Sequence, residues 1–131
     1  MSAPVRGRPA AFAAVGALAA GVHLCAAWLL VEGAALPPAA ANVGAFLCAF
    51  PVSYLGHRRH TFGAIGAAGA GNASLPKWLQ VSVGAFGLNQ ALYVAALRCF
   101  PHVWYLLLLA FVTATVAAGS YCLGRIWAFR P

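Results

Sequence analysis

The residues of this chain best arranged to meet an anion are three arginines. Arg58 and Arg59 lie in the stretch Ser53-Tyr54-Leu55-Gly56-His57-Arg58-Arg59-His60-Thr61-Phe62, directly after a long apolar run. Arg125 stands at the matching place in Ser120-Tyr121-Cys122-Leu123-Gly124-Arg125-Ile126-Trp127-Ala128-Phe129, so that both copies read Ser-Tyr-x-x-x-Arg-x-x-x-Phe. A guanidinium makes paired hydrogen bonds to a phosphate, which an ammonium does less well. Arg58, Arg125 and Arg59 are therefore candidate ligands for a lipid phosphate at headgroup depth. The plainer alternative is that they snorkel at the ends of membrane spans and set topology.

Other chemistry has less to work with. Glu32 is the sole carboxylate, which removes paired-acid catalysis and a carboxylate site for a divalent metal. His57 and His60 have helical ligand spacing with no third ligand nearby, so no metal is expected. No enzymatic activity and no cofactor are expected either. Cys25, Cys48, Cys99 and Cys122 form no C-x-x-C pair and read as small apolar packing residues.

The elements that must position these residues are set by composition. The chain is 63% hydrophobic and only 7% charged, where a soluble domain carries about 25% charged residues. With so few charges the outer surface has to face something apolar, and a bilayer meets that need. The formal net charge is +7, but the cations flank apolar segments and form no basic face. That pattern fits positive-inside topology and anionic lipid contact, not nucleic acid.

Four apolar segments follow one another. Ala10 to Val31 is uncharged, broken only by His23, and has about the 20 residues needed to cross the hydrocarbon core as a helix. It is too long for the apolar part of a cleaved signal peptide, so a retained span is expected. Span two, opened by Pro37-Pro38, runs from about Leu36 to Leu55, with Pro51 as a potential kink. Residues 63–76, rich in Gly, Ala, Ser and Asn, read as a flexible linker. Span three covers about Leu79 to Leu97 and span four about Val103 to Leu123. Trp28, Trp78, Trp104 and Trp127 all fall near span ends, where indole favours the headgroup zone.

The charges then orient the whole. Arg6, Arg8, Arg58, Arg59, Lys77, Arg125 and Arg130 lie on one side and Arg98 with Glu32 on the other, which predicts cytoplasmic termini and a cytoplasmic linker. Val15-Gly16-Ala17 recurs as Val83-Gly84-Ala85, at nearly the same offset as the two arginine motifs. The expected fold is all-α: a single polytopic membrane domain over residues 1–131 with four transmembrane helices, N-in and C-in. These form two parallel-repeat hairpins, about 10–62 and 77–129. Gly16, Ala20, Gly44 and Gly84 are small enough to let helices approach closely. Polar groups inside hydrocarbon need partners, so His23, Asn42, Asn89 and Gln90 should face the bundle interior, as interhelical bonds or as a polar path. Ser53, Ser120 and His57 are further candidates for either role.

These features together resemble the GtrA-like family of small four-span membrane proteins, whose members end spans two and four with Asn-Phe-x-x-Asn-Arg-x-Trp-x-Phe. Arginine and the final aromatic are kept in both copies here and the tryptophan in one, at Trp127. Phe12, Val15, Gly16 and Leu29-Leu30-Val31 also follow the family pattern in span one, and Asn89 falls where span three often carries Asn. The motif asparagines are replaced by Ser53 and His57 in one copy and by Ser120 and Gly124 in the other. His23 stands where span one often has Asp. The resemblance implies a cytoplasmic-membrane protein of cell-surface polysaccharide synthesis that moves a polyprenyl-phosphate-linked sugar between leaflets. The alternatives are a non-transporting anchor that recruits a glycosyltransferase and, more remotely, a small multidrug-type exporter. Four spans enclose little room, so a transport path would call for a homo-oligomer or a partner.

Overall fold

The structure is a computed structural model that describes the backbone of residues 9–61 and 74–128 and the side chains of 10–59 and 79–120. Four α-helices account for most of it: α1 (Pro9–Glu32), α2 (Pro38–Gly56), α3 (Ser74–Cys99) and α4 (Tyr105–Ala128). A π-helical turn, His57–Thr61, continues α2. No strand occurs among the described residues.

The helix ends follow from local chemistry. Gly33 N–H bonds the Leu29 carbonyl at 2.8 Å and Leu36 N–H bonds the Leu30 carbonyl at 3.0 Å. The second reaches back six residues, one more than the six-to-one bond of a Schellman cap. The residue in the left-handed conformation that turns the chain there is Ala35, at φ 54°, where a glycine would be the usual choice. An alanine held there costs about 1 kcal/mol. Helix α2 opens on Pro38, whose fixed φ suits the first helical position and whose missing N–H would be unpaired there anyway.

Pro51 lies inside α2, which nevertheless continues to Gly56 before widening into the π turn. Helix α3 begins at Ser74, so the last three residues of the expected linker are helical. Pro76 is accommodated because it falls in the first turn. Residues 63–73 of that linker, with Phe62 before them, lie outside the described residues.

Neighbouring helices run antiparallel. Val15 of α1 lies against Gly56 of α2, and Leu30 against Gly44. Asn89 and Tyr93 of α3 reach Thr113 and Tyr105 of α4. Phe46 of α2 stacks on Phe86 of α3, ring centroids 4.3 Å apart. Glu32 at the end of α1 meets Tyr105 at the start of α4.

The apolar core is small: Ala27, Ala45, Tyr93, Leu108, Leu109 and Val112, with Leu24, Leu97 and Val116 packed around it. Much of the apolar surface points outward instead, including Phe111 at 74% and Leu47 at 65% exposure. Ala10–Gly33 and Pro38–Arg59 are long and apolar enough to cross a membrane. Only 22% of each span's most apolar stretch is buried, unlike the core helix of a soluble protein. The apolar stretch Tyr105–Ser120 is shorter.

Two expectations are corrected here. Cys25, Cys48 and Cys99 are exposed, not interior packing residues, because the seam between thin helices is filled mainly by alanine and a few large side chains. A Cβ on Gly16 or Gly84 would meet nothing within 4 Å, so neither glycine marks a close helix approach. Gly44 does, and so does Gly56, which the sequence reading had treated only as part of a motif.

Candidate functional site

A polar cluster joins all four helices. The Gln90 amide nitrogen donates to the Ala39 carbonyl at 3.0 Å. Its oxygen is therefore turned toward Asn42, whose Nδ2 donates to it at 2.7 Å. Asn42 Nδ2 also donates to Asn89 Oδ1 at 3.1 Å, and Asn89 Nδ2 donates to Thr113 Oγ1 at 3.1 Å. Asn42 Oδ1 is left facing His23 Nε2 at 2.6 Å. An amide oxygen only accepts, so Nε2 of His23 carries the proton. One backbone carbonyl on α2 thus sets the direction of every bond in the chain.

The cluster is dry. Asn42 is 0%, Asn89 6% and His23 8% exposed. Interhelical polar bonds in membrane proteins average about 0.6 kcal/mol and reach about 1.7 kcal/mol. Leaving the same groups unpaired in hydrocarbon would cost several kcal/mol each. Asn42 uses its oxygen and both amide hydrogens, which makes it the node that holds α1 and α3 to α2.

The arginines occupy a different place. The His57 N–H bonds the carbonyls of Ser53 and Tyr54 as α2 passes into the π turn. The His57 ring is buried, 4.6 Å from the Phe12 ring at 35°. Arg58 and Arg59, the next residues, are exposed. Burying His57 against α1 thus pins the turn and leaves two guanidinium groups on the surface. At 1.5 Å per residue, Asn42 and Arg58 are about 24 Å apart along the axis, so cluster and arginines are two sites.

Among the remaining candidates, Ser53 is half-buried and Ser120 exposed. Arg125 lies in α4, with its side chain outside the described side chains. Among the described residues, no three His, Cys, Asp or Glu side chains gather as a metal site would require.

Sequence reasoning missed three participants. Thr113 completes the cluster on α4, whereas Thr115 bonds the Phe111 carbonyl of its own helix at 2.8 Å. A threonine in an apolar span has both options, and spacing does not choose between them. The Tyr105 hydroxyl donates to Glu32 Oε1 at 2.7 Å, tying the sole carboxylate to α4. Tyr93 is wholly buried and its hydroxyl donates to the Tyr105 carbonyl at 3.3 Å.

The sequence model of a family described as GtrA/DPMS, transmembrane domain, matches residues 11–129. No curated protein and no solved structure matches the chain significantly.

Proposed function

The chain belongs to the GtrA/DPMS transmembrane-domain family, and from that premise we propose that it moves a polyprenyl-phosphate-linked sugar across the cytoplasmic membrane. The family's domain is consistent with a membrane protein of polysaccharide synthesis, and the match over residues 11–129 is the observation that carries the reading. In this reading all four helices cross the bilayer as two hairpins, with both termini and residues 62–73 in the cytoplasm. Arg58 and Arg59 then sit at the cytoplasmic headgroup level and take the lipid phosphate. Arg125 supplies the same group from the second copy of the motif, and the bundle works as a homo-oligomer or beside a partner.

The test is translocation of a lipid-linked sugar in proteoliposomes, wild type against Arg58→Gln. A charge-assisted bond contributes about 1.5–3 kcal/mol, so the variant should lose about tenfold or more in rate. Unchanged transport by the correctly inserted variant would count against the phosphate role. Wild type that never moves the lipid, even with its neighbouring enzymes present, would sink transport altogether.

One observation favours a second reading, a membrane anchor that recruits a glycosyltransferase. Asn42 is buried and spends both amide hydrogens inside the polar cluster, so it has no donor left for a passing sugar. Co-purification of a transferase, with no flipping by the pure protein, would decide for the anchor. A multidrug-type exporter fits less well, since proton exchange wants an intramembrane carboxylate and Glu32 is held by Tyr105 at a helix end.

A further inference from the structure

One ridge of α2 starts at the polar cluster's Asn42 and leaves both that cluster and the apolar core behind. Asn42, Phe46, Phe50, Tyr54 and Arg58 recur at every fourth residue, the spacing that forms a continuous ridge along a helix. The rings follow one another: Phe46 to Phe50 at 6.0 Å between centroids, Phe50 to Tyr54 at 6.3 Å and nearly parallel at 9°. All three are half-buried. At its inner end the ridge is closed by the Phe46–Phe86 stack and by the buried Asn42 node. Beyond that stack, Phe50 and Tyr54 make ring contacts only along their own helix among the described residues. At its outer end stands exposed Arg58.

We propose that the Phe46–Phe50–Tyr54 ridge is the docking lane for the phosphate-proximal isoprenoid units of a polyprenyl phosphate whose phosphate is held by Arg58. The proposal rests on the reading of Arg58 as a lipid-phosphate ligand and adds what recognises the chain. A lipid anchored at Arg58 has its tail running toward the bilayer centre, which is the direction of the ridge toward Phe46. From Arg58 to Phe46 is about 18 Å of helix, enough for the first units of the tail and no more. The cation at one end complements the anionic phosphate.

The rings in between offer flat, polarizable faces at a regular step of about 6 Å. A polyprenyl chain carries a planar double bond and a methyl branch in every unit, a repeat that matches such a series of faces. It also has fewer free rotors per carbon than a saturated chain, so ordering it against a rigid ridge costs less entropy. Discrimination between lipid phosphates then comes from α2, while the polar cluster serves as the clamp that keeps the ridge in place.

The experiment uses the full chain in nanodiscs and two probes: farnesyl phosphate and a saturated alkyl phosphate with the same number of carbons. Each competes against a photoreactive polyprenyl phosphate. Wild type should prefer the isoprenoid probe by about fivefold, the scale of one or two aromatic contacts. Phe50→Ala should weaken the isoprenoid probe more than the alkyl phosphate and so abolish that preference, and Arg58→Gln should weaken both. Mapping the photo-adduct in wild type, where no variant has to fold, should mark residues 46–54.

Equal binding of the two probes by wild type, an equal loss of both in Phe50→Ala, or adducts confined to other helices would each overturn the lane. Any of these beside intact sugar translocation leaves the transport reading standing. Selective binding through Phe50 without translocation rejects transport and keeps the lane.

Discussion

The two halves of this chain repeat a motif but are not packed alike. In the first half, glycines sit at the contact between helices. A Cβ on Gly56 would lie 2.6 Å from Val15 Cγ1, and one on Gly44 would lie 2.7 Å from Leu30 Cδ1. Ala41, Ala45 and Ala49 line the same helix and are buried, so α1 and α2 approach closely over their length. In the second half, α3 and α4 are joined by larger groups, Tyr93, Leu108, Leu109 and Val112. The described glycines there, Gly84, Gly87 and Gly119, face open space. The motifs differ at the matching places: Gly56 corresponds to Leu123, and buried His57 to Gly124. A shared sequence pattern therefore does not carry a shared packing: among the described residues, the close glycine contacts belong to the first half.

That asymmetry can be broken deliberately. The largest effect is expected from Gly56→Leu, which writes the second copy's residue into the first. Its Cβ alone meets Val15, a β-branched side chain that cannot swing away. A loss of about 2–3 kcal/mol is expected, read as a lower unfolding midpoint in detergent; a shift too small to measure would show that α1 and α2 are not held at Gly56.

Next comes Asn42→Leu, which removes the node between the halves. Its bonds to His23, Asn89 and Gln90 contribute about 2 kcal/mol together at the usual interhelical value. The same unfolding measurement should report that loss, and Gln90→Leu should lose less, since it takes one bond from Asn42. Equal losses would mean that Asn42 is not the node.

The smallest effects compare glycines. Gly84→Ala should stabilise by about 0.5 kcal/mol through helix propensity alone, because nothing stands in the way. Gly44→Ala should be close to neutral, since the same gain is offset by displacing the flexible end of Leu30. A destabilised Gly84→Ala would place an unseen contact in the second half.

The variants also mark where the sequence was readable. The four helices and their ends fall close to the apolar segments, since a run of about 20 apolar residues has few alternatives to a helix in hydrocarbon. The ends moved where turn chemistry intervened: Ala35 took the left-handed position, and Ser74–Pro76 joined α3. The polar residues His23, Asn42, Asn89 and Gln90 stood out individually, because each is conspicuous in an apolar run. Their pairing did not. Helix α1 is apolar on every side, so no stripe announces which face turns inward, and Thr113 looks no different from Thr115 until the helices are side by side.

The sequence by itself determined the helical class, the membrane-apolar surface, the internal repeat and the positions of Arg58, Arg59 and Arg125. Those properties depend on composition and on spacing along one chain. Tertiary structure alone decided that Asn42 bonds both Asn89 and Gln90, that Glu32 meets Tyr105, that Gly56 admits Val15, and that the polar cluster and the arginines are separate places. Each of these depends on the rotation and sliding of one helix against another. That register is set by side-chain shape at the contact, and helical periodicity within a single segment carries no record of it.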